Sequence, residues 1–276
     1  MTVTVRSFAK INLGLCIGSL RPDGFHDLRT VYQTIGLHDI IRVQVGRGMG
    51  IEIRCDDPRV PRDQTNTCYR IAERAMDALQ ARGRVTITID KRLPVQGGVG
   101  AGSGNAVATL LALERALKKK LPAAERLRIA AEVGSDLPLF LVGGTALGVG
   151  HGEDVYPLPD LPSVCCVVAT PEIGVSTPQA FADWDEMFGG PDKNTAELRS
   201  ARTAEGGRPH VDRTHARSKL TPSSPSDRMV QFGRALSAWL SGQPLSGVPV
   251  SKGRGRAETS LLDLVRTGIE NDFEQV

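Results

Sequence analysis

Residues 91–105 read Lys-Arg-Leu-Pro-Val-Gln-Gly-Gly-Val-Gly-Ala-Gly-Ser-Gly-Asn, between a β-branched run at 85–89 and the segment AVATLLALERALKKK at 106–120. The order is strand, glycine-rich turn, helix, and the lysines at 118–120 sit where cations meet the negative end of a helix. Glycine reaches positive φ at no steric cost and lets a ligand approach the backbone. A helix N-terminus adds unpaired N–H groups and about half a positive charge, which suits phosphate. The stretch Gly97, Gly98, Val99, Gly100, Ala101, Gly102, Ser103, Gly104 and Asn105 is therefore a candidate phosphate cradle. The Ser103 hydroxyl can serve a phosphate oxygen or a metal ion, and a merely flexible turn is the plain alternative. A Walker loop is excluded because no Lys follows the glycines. The Rossmann pattern fails because its third glycine falls on Ser103.

Outward from this turn, Ile11, Leu13, Leu15 and Ile17 are apolar at alternate positions, which predicts a strand with one buried face and puts Lys10, Asn12 and Gly14 on the other. Residues 40–45, 51–54 and 85–89 also read as strands. Residues 67–80 carry helical spacing, with Asn66 at the cap position. A second helix is predicted over 123–133, closed by Gly134. Apolar runs at 139–142 and 164–169 read as strands, the latter burying Cys165 and Cys166 as small core residues. Strands and helices mix without strict alternation, which favours an α+β fold over a doubly wound sheet. Residues 189–227 are rich in Gly, Pro, Ser, Thr and Arg and read as a mobile insertion or linker. Helices are predicted at 227–240 and 260–270, separated by a further polar patch reaching to about residue 256.

The chain has 276 residues, 40% hydrophobic and 24% charged, enough for one large or two modest domains. A net charge of +3 suits an anionic small molecule and lacks the concentrated basic face that nucleic acid requires. The five cysteines form neither a CxxC pair nor a zinc pattern. Neither a signal peptide nor a run of the roughly 20 apolar residues of a membrane helix is found, so the cytoplasm is the expected compartment.

Residues 94–106 resemble the PxxxGLGxSSxxA loop of the GHMP kinases. Ala9-Lys10-Ile11-Asn12-Leu13 with Arg21-Pro22-Asp23-Gly24-Phe25-His26, and Gly134-Ser135-Asp136-Leu137-Pro138, resemble the AKINL…RPDGYH and GADVP stretches of the diphosphocytidyl-methylerythritol kinases within that superfamily. Further similarities are Lys91-Arg92-Leu93-Pro94, Gly150 with Gly152-Glu153, Ser176-Thr177-Pro178 with Phe181, and Asn271-Asp272-Phe273-Glu274. The order and spacing fit from Ala9 to about Phe181.

The resemblance implies an ATP- and Mg²⁺-dependent kinase that phosphorylates the 2-hydroxyl of 4-diphosphocytidyl-2-C-methyl-D-erythritol, in the non-mevalonate isoprenoid route. It implies that Asp136 accepts the hydroxyl proton and that Lys10 polarises the reacting groups. Read alone, Asp136 fits a turn or helix cap and Lys10 a solvated strand position. Asn12 would line the same cleft. Phe25, His26 and Phe181 would hold the cytosine, and Thr177 would touch the acceptor. Asn66 and Lys91 match positions on the adenosine side, where a helix cap and a solvated strand end are the plain alternatives. The sequence departs from the family pattern at Phe25, where Tyr is usual, at Gln96, where Gly is usual, and at Gly104, where the second Ser is usual.

The implied architecture has two domains. A ribosomal protein S5 domain 2-like unit spans residues 1–160. A ferredoxin-like unit begins near 161, is interrupted at about 189–256 and stops short at 276, without the family's later glycine-rich motif. The expected partner is the cytidine-bearing substrate, with neither nucleic acid nor membrane, in a monomer or homodimer. Rival readings are a homoserine- or mevalonate-type kinase and a non-catalytic nucleotide-binding remnant.

Overall fold

A computed structural model describes residues 1–170, 176–188, 225–240 and 272. A long antiparallel pair forms the spine of its sheet: β1 (Thr2–Leu20) and β2 (His26–Gly46), joined by a turn in which the Arg21 N–H donates to the Phe25 carbonyl at 2.7 Å. The free edge of β2 is shared. Its first half, residues 28–33, pairs with β5 (Thr145–Gly150), and its second half, residues 40–46, pairs with β4 (Arg84–Asp90). Next to β4 lies β3 (Gly50–Cys55), in parallel, and β6 (Asp154–Pro157) closes the other side beside β5. The parallel β3–β4 step requires a crossover, which is α1 (Thr67–Ala78).

Four helices cover the residues that face inward. These are α1, α2 (Ala101–Leu117), α3 (Ala123–Val133) and the short α4 (Leu137–Val142). The most enclosed is α2, and its run Ala106 to Leu110 is buried on every side, as befits a helix that is apolar all round. It packs with Ile71 and Ala75 of α1 and with Ile41, Val43, Val85 and Ile87 of the sheet in one core. Each such aliphatic side chain contributes about 1.5–3 kcal/mol. Where α2 turns into α3, the buried Glu114 accepts from the Leu121 N–H at 2.7 Å and from Arg126 Nε at 2.9 Å.

The helix α5 (Thr177–Phe188) and the helix α6 (Pro225–Leu240) follow. Adjacent residues of a strand point to opposite faces, and Val31 and Tyr32 divide accordingly. Val31 and Cys16 pack under Phe232 and Leu236 of α6, while Tyr32 packs on Leu139 of α4. Asp272 sits between α6 and β1. It is 1% exposed, accepts from the Ile17 N–H at 2.7 Å and is ion-paired with Arg228.

The mixed sheet with its helices is the expected α+β fold, with three local corrections. Residues 139–142 form α4, because Pro138 in its first turn suits a helix start and the segment caps the buried Tyr32. Residues 164–169 form no strand, and Cys165 and Cys166 are exposed. The alternation in β1 is broken by a register shift between Asn12 and Gly14. Leu13 therefore joins the cluster beneath α6 while Leu15 and Ile17 are buried elsewhere, and Lys10 on the supposedly open face is itself buried. Asn66 does cap α1, its Oδ1 accepting from the Cys68 N–H at 2.8 Å. The helix expected at 260–270 and the polar stretches at 189–224 and 241–256 lie outside the described residues. Among the described residues no helix is long and apolar enough to cross a membrane.

Candidate functional site

The glycine turn is fixed at both ends. Upstream, the fully buried carboxylate of Asp39 on β2 gathers four donors: Lys91 Nζ, the N–H groups of Arg92 and Leu93, each at 2.7 Å, and Asn105 Nδ2 at 2.9 Å. One acid thus ties the end of β4 to the first turn of α2. Downstream, the Lys10 N–H donates to the Val99 carbonyl at 2.9 Å, and the side chains of Val99 and Ala101 pack with Ala9 and Leu93. Between these anchors Gln96, Gly98 and Gly100 take φ of 62°, 68° and 69°. A Cβ on Gly100 would come within 2.7 Å of Phe140 Cζ and 2.9 Å of Lys10 Cγ, so the backbone passes directly over the lysine. Gly100 begins α2 without any side-chain cap, which leaves the N–H groups of the first turn available to an anion. At Gly104 a Cβ would meet the Phe8 carbonyl and Ser7 Oγ at 2.9 Å, so the residue that departs from the family pattern lies flat on β1.

Beneath the loop is a polar chain whose orientation follows from what each group can donate. Lys10 Nζ donates to Asn12 Oδ1 at 2.7 Å, Asn12 Nδ2 to Thr30 Oγ1 at 2.6 Å, and the Thr30 hydroxyl to the Gly14 carbonyl at 2.8 Å. The Lys10 ammonium also stands 3.4 Å from Asp136 Oδ2 and 5.4 Å from the centre of the Tyr32 ring. Asp136 occupies the cap position of α4, but its carboxylate makes no capping bond and turns to Lys10 and to the Tyr32 hydroxyl at 3.1 Å. The simple cap reading therefore fails for Asp136, as the solvated-strand reading does for Lys10. Burial, reinforced by the Asp136 charge, pushes the Tyr32 hydroxyl well above its ordinary range, so it stays protonated as a donor.

The expected base clamp is assembled differently. His26 is buried against α5: its ring stacks on Phe181 at 5.3 Å and 9°, meets Trp184 edge-on at 5.4 Å, and its Nε2 lies 2.8 Å from Asp185 Oδ1. Phe25, 61% exposed, instead lies 5.0 Å from the ring of His151. Asp23, which caps this turn, is held below the usual carboxylate range by the Phe25 N–H, with Arg21 and His151 adding to the effect. Thr177 is exposed at the start of α5, one turn before Phe181. An open cleft of about 370 Å³ lies between His151 and Glu153 on one side and Arg128, Ala131, Glu132 and Ser135 on the other, and Lys10, Tyr32 and Asp136 do not line it.

The structure thus brings Lys10, Asn12 and Asp136 together beneath residues 97–104 and pairs His26 with Phe181, while Phe25 stands apart from that pair. Asn66 uses both ends of its amide structurally, since Nδ2 also donates to the Pro61 carbonyl at 2.6 Å. Its neighbour Thr67 reaches the Gly102 carbonyl at 2.9 Å, which sets the start of α1 beside the loop. Lys91 is buried on Asp39 rather than solvated. Asn105 likewise spends its amide nitrogen on Asp39. Sequence reasoning missed Asp39, Thr30, Tyr32, His151, Trp184 and Asp185. The spacing of Phe181, Trp184, Asp185 and Phe188 at one helical face could have revealed the last two.

The GHMP kinases N terminal domain profile matches residues 66–144. A 4-diphosphocytidyl-2-C-methyl-D-erythritol kinase of Solibacter usitatus is 41% identical over 186 residues, which is 67% of this chain and 58% of that protein. One of Corynebacterium diphtheriae is 34% identical over 258 residues, 86% of this chain and 82% of that protein. A crystal structure of a 4-(cytidine 5'-diphospho)-2C-methyl-D-erythritol kinase aligns with a TM-score of 0.56 at 33% identity, over 65% of this chain and 63% of that one. The chain spans less than two thirds of the length of the first of these relatives.

Proposed function

The chain belongs to the 4-diphosphocytidyl-2-C-methyl-D-erythritol kinase family of the GHMP kinases, and from that premise we propose that it transfers the terminal phosphoryl group of ATP to the 2-hydroxyl of 4-diphosphocytidyl-2-C-methyl-D-erythritol. The observation that carries this reading is Lys10, whose side-chain stem runs directly under the glycine turn and whose ammonium stands 3.4 Å from the Asp136 carboxylate. Phosphoryl transfer demands alignment and charge neutralisation more than covalent chemistry from the protein. In this reading the acceptor oxygen bonds to the γ-phosphorus as the bond to the β,γ-bridging oxygen breaks, ADP departs, and the hydroxyl proton passes to Asp136. Lys10 offsets negative charge developing on the transferred group, and the N–H groups of residues 97–103 hold the phosphates, that of Gly104 being spent on the Gly100 carbonyl. Among the described residues no cluster of three or more His, Cys, Asp or Glu could hold a metal. Mg²⁺ fits as the ATP complex, held mainly by phosphate oxygens, with the Ser103 hydroxyl in the first turn of α2 as the protein's contribution. It would neutralise phosphate charge there.

The cytosine would lie against the His26 and Phe181 pair, with Phe25 outside that stack beside His151, and Thr177 at the exposed start of α5 would meet the acceptor. This base site is what separates the proposed acceptor from homoserine or mevalonate, neither of which carries a base. The cytoplasm is the compartment proposed for this chain.

The test is transfer from γ-labelled ATP to the cytidine substrate, homoserine and mevalonate in parallel. Label should enter the cytidine substrate alone, and CMP or CDP should compete with that acceptor and not with ATP. Preferential labelling of a small acceptor, or competition by CMP against ATP only, would sink the reading.

A further inference from the structure

We infer that Tyr32 is a positioning residue for Asp136, holding its carboxylate by one oxygen so that the other side of the group faces the acceptor hydroxyl; the inference rests on the kinase reading above. Tyr32 is 3% exposed while the Asp136 side chain is 33% exposed, so the phenol lies beneath the carboxylate and the open side faces solvent. The hydroxyl donates to Oδ1 at 3.1 Å while Lys10 stands beside Oδ2. Both oxygens are therefore oriented from below, and neither donor occupies the solvent side.

The protein also builds a socket for this phenol. A Cβ on Gly148 would come within 2.5 Å of Tyr32 Cε2, and one on Gly152 within 2.6 Å of the Tyr32 hydroxyl. Gly152 has a φ of 98°, so backbone conformation and space both require glycine there. The Leu139 and Ala146 side chains close the remaining walls. Lys10 above the ring face gains from the aromatic quadrupole, so one side chain steadies both the ammonium and the carboxylate. Burying a hydroxyl is costly unless it is bonded, and the partner this one has is the group proposed to take the proton.

The test is a kinetic double-mutant cycle of Tyr32→Phe and Asp136→Asn in the full chain, with the cytidine substrate and Mg·ATP. Tyr32→Phe keeps the ring under Lys10 and removes only the donor. Loss of one hydrogen bond to a charged group should lower kcat about 10–100-fold, with the KM for ATP and for the acceptor held within about twofold. In the Asp136→Asn background the same substitution should change kcat by less than about twofold, because the group it acts through is already disabled. If Tyr32→Phe folds less well, the cycle still reads the coupling, since both backgrounds carry that loss. Equal effects in the two backgrounds, or an unchanged kcat in Tyr32→Phe, overturn the positioning role. An unaltered protein that fails to turn over the cytidine substrate overturns the kinase reading, and this role with it.

Discussion

Replacing Asp39 by alanine should cost this protein a large share of its stability, although the residue touches no proposed reactant. The side chain is 0% exposed and holds four donors at 2.7–2.9 Å. Deleting it strands the Lys91 ammonium, whose side chain is only 9% exposed. Removing one partner of a buried ion pair costs about 3–5 kcal/mol. The Arg92 and Leu93 N–H groups and the Asn105 amide each lose a bond to a charged acceptor worth about 1.5–3 kcal/mol. These terms overlap, because water can enter the vacated space and the four donors share one acceptor, so a total of about 4–6 kcal/mol is the reasoned figure. Domains of this kind are stable by about 5–15 kcal/mol. Urea unfolding followed by far-ultraviolet circular dichroism reads the change as a fall in midpoint at constant slope. Adding Lys91→Met to Asp39→Ala should recover part of the loss by removing the stranded charge. A loss below about 1 kcal/mol, or no recovery in the double variant, would refute the claim that a buried charged node ties β4 to α2.

Asp136→Asn should lower kcat about 10²–10⁴-fold while calorimetric ATP binding is unchanged; near-normal kcat with chemistry rate-limiting would remove the proton-acceptor role. Gln96, at a φ of 62°, bears left-handed strain of about 1–2 kcal/mol. Gln96→Gly should therefore raise the urea midpoint, for a net gain of about 0.5–1 kcal/mol after glycine's entropic cost, and a lower midpoint would contradict the strain. Burial pushes the Cys68 thiol up to about 12, so its thiolate is scarce at pH 8 and grows only as pH rises toward that value. Iodoacetamide at pH 8 on the folded protein should label the exposed Cys165 and Cys166 and spare Cys16, Cys55 and Cys68, as peptide mass spectrometry would reveal.

What the sequence made legible was local. The phosphate-suited glycines, the Asn66 cap and the α3 boundaries depend on residues within a few positions of one another and were readable from spacing, whereas α2 begins at Ala101, inside the stretch read as turn. The kinase family was readable because several such segments occur in order. Long-range pairing was not readable. Asp39 lies between His38 and Ile40 in a strand and gives no sign that residues 91–93 and 105 converge on it. Tyr32 and Gly152 look unrelated until β2 and β5 align. The misread helix at 137–142 is too short for its period to separate from a strand, and its form is set by what it covers. At His26 the closeness of Phe181 was foreseen, while Trp184 and Asp185 on the same face of α5 were not.

The bond from the Lys10 N–H to the Val99 carbonyl, at 2.9 Å, has a bearing on heat. Turns ordinarily loosen at lower temperatures than sheets, since local opening costs least where few buried contacts resist it. Here the turn hangs from the same residue whose side chain supplies the ammonium, so the distance between the two is a property of β1 and not of the loop's own stiffness. Warming can set the outer glycines in motion without moving that common reference point. The temperature at which turnover fails should consequently track the melting of the strand itself, with little decline of activity ahead of it.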